Sequence, residues 1–68
     1  MYYVATREDL KNDILTVTEL QQRLMEQRKP LLGSKKNEDQ MIAFRITTQI
    51  MKYEDFIRDT ERQLRTMD

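Results

Sequence analysis

Lys29-Pro30-Leu31-Leu32-Gly33-Ser34 is the one strongly punctuated stretch of the chain, and its reading decides the fold. Proline biases the residue before it away from the helical region, so a helix arriving from the N-terminal side is expected to finish near Arg28. Gly33 is free to take the left-handed conformation of a turn. Neither Gly nor Pro occurs anywhere else in the sequence. Two long uninterrupted segments around a single break predict two helices around a single turn.

The upstream segment carries a start signal at Thr6, whose hydroxyl can accept from amides two or three residues on. Glu8, Asp9 and Asp13 place negative charge near the positive end of the helix dipole, and Arg23, Arg28 and Lys29 place positive charge near the other end. Leu10, Ile14, Val17, Leu20 or Gln21, and Leu24 recur at three- and four-residue steps, the period of a helix with one apolar face. These signals predict helix 1 over residues 7–28.

Downstream, Asn37 and Gln40 have capping-box spacing, with Glu38 and Asp39 in the first turn and Arg58, Arg62 and Arg65 in the last ones. Ile46, Ile50, Tyr53, Ile57, Thr60, Leu64 and Met67 alternate four- and three-residue steps in an unbroken heptad register. Helix 2 is expected over residues 37–66. Glu19–Arg23, Glu54–Arg58 and Glu61–Arg65 are acid-before-base pairs at i, i+4, as on a solvated helix surface.

Two helices joined by a short connection lie antiparallel, so the fold class is all-α, an antiparallel hairpin forming one domain over residues 1–68. Its expected core is Leu10, Ile14, Val17 and Leu24 from helix 1 against Ile42, Ile46, Ile50, Tyr53, Ile57 and Leu64 from helix 2. A turn centred at Leu32–Gly33 sets Leu24 against Met41 and Ile42, Ile14 against Ile50 and Met51, and Leu10 against Phe56. The longer helix 2 then overhangs around Ile57 and Leu64, with Tyr2, Tyr3 and Val4 left to cover it.

Composition narrows the function. With 68 residues, no His and no Cys, the chain cannot build a disulfide, a thiolate zinc site or an imidazole zinc site. Two helices enclose no pocket that excludes water, and no Gly-rich phosphate loop or Gly-flanked serine is present, so no catalytic residue, cofactor or metal ligand is assigned and no enzyme is expected. Twelve basic and twelve acidic side chains cancel, and each half of the chain is separately neutral, without the basic footprint of nucleic-acid binding. No apolar run is long enough to span a membrane, and the N-terminus lacks a signal-peptide pattern, so a cytoplasmic location is expected.

What remains is surface chemistry. Met41, Phe44, Thr48 and Met51 share one face of helix 2, roughly opposite Ile42, Ile46 and Ile50 at 100° per residue. A hairpin buries only one face of helix 2, so this second stripe is expected to meet another chain, with Leu15 and Met25 standing off the main stripe of helix 1. A core this small rarely supplies more than about 3–5 kcal/mol by itself. The expected function is a protein–protein interaction module, a small adaptor, regulator or inhibitor, that also dimerises into a four-helix bundle. The alternative is a dimeric nucleic-acid-binding bundle using Arg28, Lys29, Lys35 and Lys36 at the turn, with Arg45 and Lys52 on helix 2. A purely structural homo-oligomer is the third reading.

Overall fold

A computed structural model describes residues 5–67. It is two helices packed side by side, α1 over Arg7–Leu32 and α2 over Asn37–Thr66, in a rod of 49 × 21 × 18 Å. Tyr2, Tyr3 and Val4 lie outside the described residues.

Thr6 caps α1 as its sequence position predicts. Its hydroxyl accepts from the Asp9 amide at 3.1 Å, and the Asp9 carboxylate accepts from the Thr6 amide at 3.1 Å. Two amides that the first helical turn would leave without partners are thus satisfied reciprocally.

The far end of α1 departs from expectation. The helix does not stop near Arg28 but continues through Pro30 to Leu32. Pro30 removes one donor to the carbonyl four residues back, yet Pro30 and Glu26 are both exposed, so the loss falls on the wet side. The extra turn brings Leu31 into the seam, where it is half-buried, and that packing outweighs the bias against helix before proline. Gly33 then has φ −86° and ψ −5°, a right-handed conformation rather than the left-handed one expected.

The connection is only Gly33 to Lys36, and Ser34 organises it. The Ser34 hydroxyl donates to the Asp39 carboxylate at 2.6 Å and accepts from the Lys36 amide at 3.2 Å. The Asn37–Gln40 capping box does not form, because Asn37 is already helical and Lys36 occupies the cap position without a side-chain bond. Asp39, near the positive end of the α2 dipole, anchors the loop instead.

The seam is a strict alternation of four- and three-residue steps on both helices. On α1 it runs Leu10, Ile14, Val17, Gln21, Leu24, Arg28, Leu31, all buried or half-buried. On α2 it runs Asp39, Ala43, Ile46, Ile50, Tyr53, Ile57, Thr60, Leu64. Ile42, expected in the core, is 46% exposed, and Ala43 takes the seam at 5%. Continuing the ladder back from Ile50 and Ile46 by three residues reaches Ala43, about 100° away from Ile42.

The longer α1 also changes the register. The Gln21 side-chain amide donates to the Ile50 carbonyl at 3.5 Å, so Ile50 faces Gln21 and not Ile14. Seven residues outward, Ile14 comes level with Ile57, and Leu10 with the stretch between Thr60 and Leu64. The expected overhang disappears: Leu10 is 7% and Thr60 4% exposed, and Ile57 and Leu64 are half-buried. At about 1.5 Å per residue, helices of 26 and 30 residues match to within roughly 6 Å.

Candidate interaction surface

Among the described residues the buried apolar set is Leu10, Ala43 and Ile50, and no large side chain is fully buried. Ten large apolar side chains are exposed. Eight more, Ile14, Val17, Leu24, Leu31, Ile46, Tyr53, Ile57 and Leu64, are half-buried along the seam, and the ten exposed ones fall into patches.

Met41, Phe44 and Met51 stand on the outer side of α2, 60%, 73% and 59% exposed. Met41 and Phe44 flank a shallow depression with Asn37, Gln40 and Arg45. Phe44 also lines a groove with Leu31, Leu32, Ala43 and Thr47, and Leu32 in turn borders Met25. Met25, Leu32, Phe44 and Met41 thus form a connected apolar corner at the loop end of the rod. The sequence places Leu32 in the turn; the extra turn of α1 makes it an exposed helix residue. Met51 lies farther along the same stripe, beyond Thr48, whose hydroxyl donates to the Phe44 carbonyl at 3.1 Å. Leu15 is exposed on the outer side of α1, toward the open end of the hairpin, and is not brought to this corner.

A second apolar surface lies on a broad face of the hairpin. The groove residues place Met25 and Leu32 on one broad face with Gln40, Thr47, Glu54 and Glu61. Residues flanking the seam in the other direction fall on the opposite face: Asp13, Leu20 and Gln27 on α1, and Ile42, Gln49 and Phe56 on α2. Leu20, Ile42 and Phe56 are 39%, 46% and 43% exposed there. Between them run the half-buried Val17, Leu24, Ile46 and Tyr53. Of the pair Leu20 or Gln21, the seam takes Gln21, and Leu20 moves to this face.

The basic turn is not assembled as expected. Arg28 points into the seam, where its guanidinium donates to the Thr47 hydroxyl at 3.0 Å, and that hydroxyl donates to the Ala43 carbonyl at 2.9 Å. Arg28 Nε is buried without a partner. Lys29, Lys35 and Lys36 remain exposed around the loop, while Arg45 and Lys52 are exposed along α2. Arg58 reaches Asp55 at 3.9 Å, an i, i+3 contact, where the sequence predicts Glu54.

No helix among the described residues is long and apolar enough to cross a membrane. No group of three or more His, Cys, Asp or Glu side chains among them is placed to hold a metal ion. No family model, curated protein or solved structure matches the chain significantly.

Proposed function

We propose that this chain is a non-enzymatic protein–protein interaction module, which works by burying apolar helix surface against another chain and in its simplest form associates with itself. The observation that carries this reading is that ten large apolar side chains stay exposed among the described residues, while no large side chain is fully buried and most of the seam is only half-buried. A domain of about this size hides only roughly 60% of the surface its unfolded chain exposes, so further burial contributes directly to its stability. Apolar surface concentrated in connected patches marks a docking site rather than scattered surface residues. The loop-end corner of Met25, Leu32, Met41 and Phe44 suits a foreign target, since two methionines make it adaptable in shape.

Nucleic-acid binding through the turn finds less support. Arg28 is engaged by Thr47, three lysines remain, and no aromatic residue is interleaved with them to stack on bases.

Sedimentation equilibrium and thermal unfolding across a wide range of protein concentration test the reading. Association linked to folding raises the unfolding midpoint as concentration rises, with a mass above the 8.3 kDa of one chain. A monomer whose midpoint ignores concentration counts against self-association.

A further inference from the structure

We infer that the broad face carrying Leu20, Ile42 and Phe56 is where a second copy of this chain docks, with its loop at the opposite end, to close a four-helix bundle. This rests on the interaction-module reading and goes further by naming the face, the occupant and the orientation.

The first support is the pattern on the face. The bond from Gln21 to the Ile50 carbonyl sets Leu20 and Gln49 at about one level of the rod. Seven residues toward the open end, Asp13 and Phe56 share a level. Seven residues toward the loop, Gln27 and Ile42 share another. The six positions form a checkerboard: polar beside apolar at every level, with the polar side alternating between helices.

A second copy can lie on this face in two symmetric ways. With both loops at one end, α1 lies on the partner's α2, and every flanking pair is mismatched: Asp13 on Phe56, Leu20 on Gln49, Gln27 on Ile42. With loops at opposite ends, each helix packs on its own copy about a two-fold axis at the level of Leu20 and Gln49. Leu20 then meets Leu20, Ile42 meets Phe56, Gln49 meets Gln49, and Asp13 meets Gln27. Every pair is like with like, and Asp13, the charge in this checkerboard, gains an amide as its hydrogen-bond partner. Such self-complementarity is what an isologous interface requires.

Charge favours the same orientation. Residues 25–45, at the loop end, carry five basic and three acidic side chains, and residues 5–15 with 55–67, at the open end, carry five basic and six acidic. Opposite-end packing sets the basic end of one copy over the acidic end of the other, whereas same-end packing brings two sets of Lys29, Lys35 and Lys36 together. The area is sufficient as well: a face of 49 × 21 Å offers on the order of 1,000 Å² per copy, against about 800 Å² per partner in stable interfaces.

The chain has no cysteine, so single-cysteine variants report the geometry cleanly. Leu20→Cys places a thiol on the two-fold axis, and mild oxidation or a short bismaleimide is expected to convert it to a covalent dimer at micromolar concentration. The effective concentration of paired thiols is on the order of millimolar, so the reaction runs on the order of a thousandfold faster than between free chains. Phe44→Cys, 73% exposed and off this face, is expected to stay uncrosslinked. Spin labels on Lys35→Cys, in the exposed loop, read the orientation: opposite ends separate them by roughly 40 Å, approaching the 49 Å length of the rod. Labels within about 20 Å of each other overturn the orientation. A dimer that crosslinks through Phe44→Cys and not Leu20→Cys overturns the face and leaves the interaction-module reading standing. A wild-type chain that stays monomeric at every concentration overturns the docked second copy and leaves only the foreign-target form of the interaction-module reading standing.

Discussion

The two halves of the seam are held by different physics. Toward the open end, Leu10, Ile14 and Val17 come level with Ile57, Thr60 and Leu64, and the contact is mostly aliphatic. Toward the loop, Leu24, Arg28 and Leu31 come level with Asp39, Ala43 and Ile46; there Arg28 donates across the seam to Thr47, whose hydroxyl donates to Ala43 within α2, and Ser34 ties the loop to Asp39. The loop-end half places polar groups inside and Leu32, Met41 and Phe44 outside. Apolar burial is non-directional and supplies stability; hydrogen bonds are directional and fix which residues face each other. The open-end and middle layers accordingly hold the hairpin shut, and the loop-end layers set its register while leaving an apolar corner exposed.

Ile50→Ala gives the largest expected effect. Ile50 is 4% exposed at the centre of the seam and its carbonyl receives Gln21. Truncating a buried isoleucine costs about 2–5 kcal/mol, a large share of the stability of a domain this small. Urea denaturation should show the midpoint collapsing. A loss below about 1 kcal/mol would place Ile50 outside the core and erase the distinction between the halves.

Ser34→Ala comes next. It removes the 2.6 Å bond to Asp39 and the acceptor for the Lys36 amide. Because the loop is partly exposed, about 1 kcal/mol is expected, toward the low end for hydrogen bonds to charged groups. Hydrogen exchange should quicken at the first turn of α2 and remain unchanged near Leu10 and Thr60. Equal quickening at both ends would mean that the halves do not differ. Gly33→Ala should act with the opposite sign: φ is −86° and an added Cβ meets nothing within 4 Å. Lowering the entropy of the unfolded chain there is worth about 0.4–1 kcal/mol, seen as a higher unfolding midpoint.

These residues also show what was legible beforehand. Two helices, their antiparallel arrangement, the Thr6 cap and the span of α2 all follow from periodicity and punctuation, which are local signals. The misses share one cause. At Ile42 or Ala43, bulk and hydropathy favour the isoleucine, yet the four-three ladder selects the alanine; of Leu20 and Gln21, both in keeping with the helical period, it takes the glutamine. The larger Leu20 and Ile42 lie on the broad face instead, 39% and 46% exposed. Pro30 misled for a related reason: its penalty is local, and the compensation comes from Leu31 packing across the seam. The longer α1 moves the register and removes the overhang expected around Ile57 and Leu64. No local signal marked Arg28 as a seam residue, because a charged side chain beside two loop lysines reads as part of a basic surface.

Arg28→Met should have the smallest effect on stability and say most about the comparison. Arg28 sits in the a/d ladder with its Nε buried and unpartnered, so the native side chain carries a desolvation cost that its one bond to Thr47 offsets only in part. Methionine is similar in reach, packs without polar atoms and has no orphaned donor. Thr47 is not stranded by the change, since its hydroxyl still donates to the Ala43 carbonyl at 2.9 Å. Replacing a half-buried charge with well-packed apolar volume is often neutral or stabilising, so a change within about 1 kcal/mol of wild type is expected by denaturant titration. What should change is specificity: with the Arg28–Thr47 bond across the seam gone and only Ser34–Asp39 left at the loop end, neighbouring registers become closer in energy. Amide resonances of residues 24–47 would broaden or double while those near Leu10 and Thr60 stay sharp. A loss above about 3 kcal/mol with sharp, single resonances would reverse the assignment, making Arg28 a stabilising contact like Ile50 and not a register-setting one.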